Sequence, residues 1–211
     1  GDTPFHHTKL IASHFGGTRN PLVVHWPKGI KAKGEIRSQF QHVTDIAPTV
    51  LEAAGLPEPK TVNGVVQTPM EGVSMMYTWD KANANAPTRH GTQYFEMLGN
   101  RAIYNDGWVA ATTPANLPWA PSTGTPPDVI TGYKWELYNV MEDPTQFNDL
   151  AAKMPDRLKQ MQDLFYSEAK KYDVLPLDNS SLVRFTTPRP SLTAGRTLFT
   201  YTKAITGVPN S

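Results

Sequence analysis

Apolar and polar positions fall into short runs along this chain, and the runs change character near residue 87. Pro21-Leu-Val-Val-His-Trp26 is an apolar, β-branched run closed by Pro27-Lys28-Gly29, which predicts a buried strand followed by a turn. Thr44 or Asp45 then stands where a helix N-cap is needed, ahead of Ile46, Val50, Leu51 and Ala54 at helical spacing. Gly55 supplies the residue past the helix end, and Pro57 forbids continuation. Strand, turn and helix in that order predict an α/β setting, with the strand inside a covered sheet. Between residues 57 and 87 the composition turns to Pro, Gly, Asn and Thr and reads as a boundary.

Beyond it the spacing shortens. Gln93-Tyr-Phe-Glu-Met97 and Arg101-Ala-Ile-Tyr104 flank Leu98-Gly-Asn100, and Asn105-Asp-Gly107 leads into Trp108-Val-Ala-Ala111, the pattern of consecutive hairpins. A loop rich in proline (Pro114, Pro118, Pro121, Pro126, Pro127) precedes another strand at Trp135-Glu-Leu-Tyr138. After Pro155, Leu158, Met161, Phe165, Ala169 and Tyr172 recur every three or four residues and predict an amphipathic helix. Several antiparallel strands and one helix make a small two-layer α+β unit. The predicted organisation is therefore residues 1–86, 87–174, and an extended Pro-rich tail over 175–211.

Composition narrows the function classes. The chain has 211 residues, a net charge of +1 and no cysteine, so disulfide frameworks, thiolate metal sites and cysteine nucleophiles are excluded within it. A charge near zero gives no footprint for nucleic acid or an anionic membrane, and no apolar run approaches the roughly 18 residues of a membrane span. Neither is expected as a partner. Residue 1 is Gly and no charged-then-apolar leader opens the chain, so it reads as processed or as a piece of something longer. The absence of cysteine fits any compartment.

The six histidines lack metal-ligand spacing, since His6 and His7 are adjacent while His14, His25, His42 and His90 are scattered; they read as surface or satisfied core histidines. No G-x-S-x-G elbow, phosphate-binding loop or G-x-G-x-x-G is present. One local feature carries chemistry. Six residues separate Lys9 from Gly16-Gly17-Thr18-Arg19, just ahead of the predicted strand, so a cation and a glycine-permitted tight turn meet at one end of a sheet, where open α/β sheets bind ligands. Lys9 and Arg19 beside flexible backbone suit an anion with several oxygens, against the plainer alternative of a solvated lysine near a turn.

These residues resemble a known family. Asp2-Thr3-Pro4-Phe5, Thr8-Lys9 through His14-Phe-Gly-Gly-Thr-Arg-Asn20, and Val23-Val24-His25-Trp26-Pro27-Lys28-Gly29-Ile30 are similar to the second part of bacterial arylsulfatases of the alkaline phosphatase-like superfamily. His42-Val-Thr-Asp45 to Leu51 with Ala54-Gly55 looks like the family helix after that strand. Tyr94-Phe-Glu96 to Arg101, Asp106-Gly107-Trp108, Trp135-Glu-Leu-Tyr138, Glu142-Asp-Pro144 and Asn148-Asp-Leu-Ala151 look like its C-terminal strands and the motif before its closing helix.

The resemblance implies the end of a large α/β domain plus a small α+β subdomain with an antiparallel sheet and one closing helix. It implies hydrolysis of sulfate esters by a formylglycine made from a C/S-x-P-x-R motif, beside a Ca²⁺ held by Asp and Asn. Neither that motif nor the Asp-Asn ligands are found in this chain, so nucleophile and metal ligands are expected on a missing N-terminal catalytic portion, with self-association as a further option. Of the family's pocket only the lysine carries over: Lys9 is expected to contact sulfate oxygens, and His14 to face the same substrate. Arg19 is expected to pin the turn through a carboxylate or carbonyls, Asp45 to cap its helix, and Glu96, Trp108 and Trp135 to pack the sheet or rim the substrate. A phosphate or phosphonate ester hydrolase of the same superfamily and a non-catalytic interaction domain are the alternatives.

Overall fold

Hairpins whose tips hold two left-handed residues organise the molecule. In the computed structural model, which describes residues 3–115 and 126–180 with Thr186, Pro188, Gly195, Thr197 and Leu198, β3 (Thr92–Met97), β4 (Asn100–Asn105) and β5 (Trp108–Thr112) follow one another antiparallel. Leu98 and Gly99 join the first pair at φ 54° and 81°, and Asp106 and Gly107 the second at 43° and 85°. These are type I′ turns, whose twist matches that of the strands, and glycine at the second position takes up the positive φ at little steric cost. β6 (Trp135–Asn139) adds to β5, giving a four-stranded sheet in the order β3-β4-β5-β6.

Alternation along the strands makes two apolar faces. Ile103, Ala110 and Leu137 face α3 (Pro155–Lys171), which returns Met161, Phe165 and Ala169 at intervals of four. That helix starts with proline at its first position and Asp156 in the first turn and ends in Lys170 and Lys171, each sign of charge at the dipole end it favours. Trp108 and Trp135 belong to this layer as packing residues, with the Phe165 ring 5.9 Å from that of Trp135. Arg101 is fully buried without a carboxylate: its guanidinium donates to the carbonyls of Gly99, Val129 and Ile130 at 3.0, 2.7 and 3.1 Å and tethers that loop.

The other face carries Ala102, Tyr104, Val109, Ala111 and Tyr138, and the N-terminal part of the chain covers it. Phe40 stacks on Tyr104 with centroids 3.8 Å apart, and Phe15, which opens α1 (Phe15–Thr18), packs on the same cluster. α2 (Ile46–Ala54) ends at Gly55 with φ 68°, as the Gly-x-Pro stop predicts.

Three expectations are corrected. Residues 21–26 form no strand; all but the half-buried Trp26 are exposed, Val23 at 90%. A β-branched run becomes a strand only when another strand pairs with its backbone, and none of the described residues does so. Leu22, Val24 and Trp26 instead line an open apolar groove of about 530 Å³ with Ile46, Val50 and Met75. Secondly, the boundary-like stretch after Pro57 holds a further hairpin, β1 (Thr61–Val62) and β2 (Val65–Val66), turned by Asn63-Gly64 at φ 50° and 82°, then 3-10 turns over Met76–Trp79 and Lys81–Asn83. Thirdly, Glu96 serves its own hairpin, accepting the Gly99 amide at 2.9 Å. Leu177 is buried against α3, whereas the extended tail predicted to reach residue 211 lies, past residue 180, outside the described residues except for the five single positions.

Candidate functional site

Lys9 stands exposed at the second position of a turn closed by the Ile11 amide on the Thr8 carbonyl at 3.1 Å. Leu10 completes that turn at φ 79°, and His7 just before it is also left-handed at 64°. Non-glycine residues hold such angles only where surrounding contacts dictate them. Here the contact is α1. The Gly16 amide donates to the His6 carbonyl at 2.9 Å, a Cβ on Gly16 would lie 2.1 Å from the His7 carbonyl oxygen, and one on Gly17 would lie 1.9 Å from that of Ile11. Any larger residue at either position would push the Lys9 turn off the helix.

Arg19 does pin this region, by a different means from the expected carboxylate or carbonyls: its guanidinium lies over the rings of Phe5 and Phe15, at 4.7 and 5.8 Å from their centroids.

His14 is 1% exposed, with both ring nitrogens engaged. Nε2 lies 3.0 Å from Glu136 Oε2, and Nδ1 lies 2.9 Å from Ser13 Oγ. Glu136 in turn accepts Thr113 Oγ1 at 2.5 Å and the Tyr138 hydroxyl at 2.9 Å. Burial alone would raise the Glu136 pKa, but the three donors His14, Thr113 and Tyr138 outweigh it and hold the carboxyl at about 2. The carboxylate is thus ionised and acceptor-only, which assigns the proton on His14 Nε2. Burial and the Glu136 charge raise the Tyr138 phenol, so it remains a donor. The His7 ring lies edge-on to His14 at 4.5 Å, and burial, followed by the neighbouring His14 and His6, lowers its pKa.

A second buried pair lies under α2. Asp45, fully buried, accepts the His42 amide at 2.8 Å and so closes the capping box of the preceding 3-10 turn (Val43–Asp45), whose N-cap is His42; contrary to expectation its side chain does not cap α2. Its other oxygen takes the Val73 amide and His90 Nδ1, each at 2.8 Å, and His90 Nε2 faces Gln93 Oε1 at 3.1 Å. Burial would raise Asp45, but hydrogen bonds from His90, His42 and Val73 prevail and lower it; the bond to Asp45 raises His90 against the opposing effect of its burial. His90 thus contributes stability that is complete below its ordinary 6.5 and fades as pH rises through its raised value. Asp45 contributes stability that is complete above its ordinary 3.8 and is lost as pH falls through its lowered value. The stability advantage of the parent chain over His90→Gln should therefore be largest near pH 5 and shrink above neutrality, read from urea midpoints across pH. A pH-independent difference would refute the ion pair.

Nothing in the described residues fits the calcium or formylglycine that the resemblance implies. Among them no group of three or more His, Asp, Glu or Cys could hold a metal ion, and the buried carboxylates of Asp45 and Glu136 are taken by His, Thr and Tyr side chains and by backbone amides. Glu136, Gln146 and His90 were not singled out from sequence. For Glu136 a signal existed: in Trp135-Glu-Leu-Tyr138 the alternation puts it on the Tyr138 face, and a carboxylate on an apolar sheet face needs a buried donor. His14, separated in sequence from the adjacent His6 and His7, packs its ring against that of His7.

Residues 12–97 match the family model for N-sulphoglucosamine sulphohydrolase, C-terminal. An uncharacterized sulfatase of Schizosaccharomyces pombe is 29% identical over 150 residues, 69% of this chain and 24% of its own length. The N-acetylglucosamine-6-O-sulfatase of Bacteroides thetaiotaomicron is 26% identical over 184 residues, 79% of this chain and 28% of its own. Among solved structures, one in complex with its substrate D-glucosamine-2-N,6-O-disulfate overlays with a TM-score of 0.48 at 19% identity, over 74% of this chain and 29% of that one. The chain thus spans about a quarter of the curated relatives it matches. The matched residues and the relatives agree with the motifs in the order they occur here: this chain is similar to a C-terminal portion of sulfatases.

Proposed function

We propose that the protein to which this chain belongs hydrolyses sulfate esters and that Lys9 supplies the ammonium that meets the sulfate oxygens. The observation that supports this best is the mounting of Lys9: an exposed cation on a turn that the Gly16 and Gly17 contacts admit in one position only. As the S–O bond breaks, charge grows on the leaving oxygen, and a fixed ammonium there stabilises the transition state more than the ground state. His14, buried with both ring nitrogens engaged by Ser13 and Glu136, serves the site in this proposal by supporting the turn through His7 and α1 and not by meeting the substrate itself. Substrates are small sulfate esters, with sulfated glucosamine suggested by the relatives' names. Formylglycine and Ca²⁺, in this proposal, are supplied by residues outside this chain.

Residues 1–86 complete the large α/β domain in this proposal and 87–174 form the small subdomain, with the catalytic portion seated on the groove of Leu22, Val24, Ile46 and Val50. The test is turnover of an activated aryl sulfate. The complete protein should cleave it well above its cleavage of the matching aryl phosphate, and the 211-residue chain alone should not exceed a buffer control. Turnover by rigorously purified chain would overturn the division of labour, and preference for phosphate would overturn the substrate.

A further inference from the structure

We propose that Glu136 and Gln146, both on the small sheet's side of the molecule, are positioning residues for Lys9: they hold the His14 ring and the Phe15 amide, one residue apart, and so fix the turn that presents the ammonium. The inference rests on the sulfatase proposal for what Lys9 serves, but its geometry stands independently of it.

The clamp has two points, one residue apart. Glu136 Oε2 takes His14 Nε2 at 3.0 Å, and Gln146 Oε1 accepts the Phe15 amide at 2.7 Å. Gln146 is fully buried and left-handed at φ 59°, held in that pose by a turn in which Asp143 accepts the Phe147 and Asn148 amides, each at 2.7 Å. The Glu142-Asp-Pro144 motif, otherwise without a role, thereby delivers one side chain to α1. From the clamped peptide the order spreads to Lys9 by short steps. The His14 carbonyl accepts the Gly17 amide at 2.9 Å and Thr18 Oγ1 at 3.2 Å; the Gly16 amide reaches back to His6; and the His14 ring abuts His7, two residues before Lys9. The bare Cα positions of Gly16 and Gly17 then leave the Thr8–Ile11 turn one seat. Neither Glu136 nor Gln146 needs to touch substrate. Among the described residues the groups facing His14 are Ser13, His7, Glu136 and Tyr138, and of these Glu136 is the ionised one.

Two variants test this, Glu136→Gln and Gln146→Ala, with two readouts. In the 211-residue chain, hydrogen exchange should show the Ile11, Gly16 and Gly17 amides losing roughly tenfold or more of their protection in either variant, while the Ala102 and Ala110 amides of β4 and β5 keep theirs. Unchanged protection at Ile11 and Gly16, or an equal loss throughout the sheet, would overturn the proposal. In the complete enzyme acting on an aryl sulfate, each variant should lower kcat by about tenfold with KM little changed, and neither should lower the rate further when Lys9 is already alanine. Equal losses with and without Lys9 would mark a merely structural role and overturn it. A complete enzyme inert toward aryl sulfates would refute the sulfatase proposal, and the exchange data would then decide the clamp alone.

Discussion

Lys9→Ala in the complete enzyme is expected to lower kcat/KM for an aryl sulfate by roughly 10²-fold or more, the scale of losing one charged transition-state contact. The loss should fall on kcat, because in the role proposed for it the ammonium meets charge that develops on the leaving oxygen and is nearly absent in the bound substrate. Stability should barely change: Lys9 is exposed at a turn, and surface substitutions away from caps and cores fall within about 0.5 kcal/mol. That combination, a large rate effect with an unmoved melting temperature, separates a chemical role from a scaffolding one. Lys9→Arg should recover only part of the rate, since a planar guanidinium cannot reproduce a point charge on the same turn. An undiminished rate in Lys9→Ala would return Lys9 to the status of a solvated turn residue.

Phe165→Ala is expected to destabilise the small sheet's layer by about 3–5 kcal/mol, followed by urea unfolding with Trp108 and Trp135 as fluorescent reporters. The ring is fully buried, 5.9 Å from Trp135 and 5.4 Å from Tyr166, within a cluster formed by Ile103, Ala110, Leu137, Met161 and Ala169. Removing it opens a cavity that one strand alanine, Ala110, and one helix alanine, Ala169, cannot fill. A loss below about 1 kcal/mol would mean that the layer collapses onto the gap and that the packing described is not tight.

What could be read in advance follows the range of the forces involved. The β3–β4–β5 hairpins were legible because Leu98-Gly99 and Asp106-Gly107 encode left-handed tips between apolar runs, and α3 because Met161, Phe165 and Ala169 recur at one helical face. The Asn63-Gly64 hairpin carried the same signal and was masked by the surrounding proline. Leu22 to Val24 misled for the opposite reason: its side chains ask for a sheet, but pairing is a property of two strands, and the described residues supply one. At the candidate site the Lys9 turn and its glycine pair were legible, being neighbours in sequence. The hold on them was not. His14 meets Glu136 across 122 residues and Phe15 meets Gln146 across 131, distances over which spacing along the chain carries no signal.

That separation also sets a timetable. Chains leave the ribosome at about 5–20 residues per second, so Glu136 follows His14 by on the order of 6–24 s. The two-residue turns of the β3–β5 meander close in microseconds once their strands have emerged. The segment around His14 and Phe15, by contrast, waits through the synthesis of β3 to β6 without the carboxylate and the amide oxygen that fix it, and the loop-closure cost of joining them is met only after β6 and the turn at Gln146 exist. The Lys9 turn, made before the sheet, is thus fixed after it, and a nascent protein halted before Glu136 would carry that lysine on an unanchored turn.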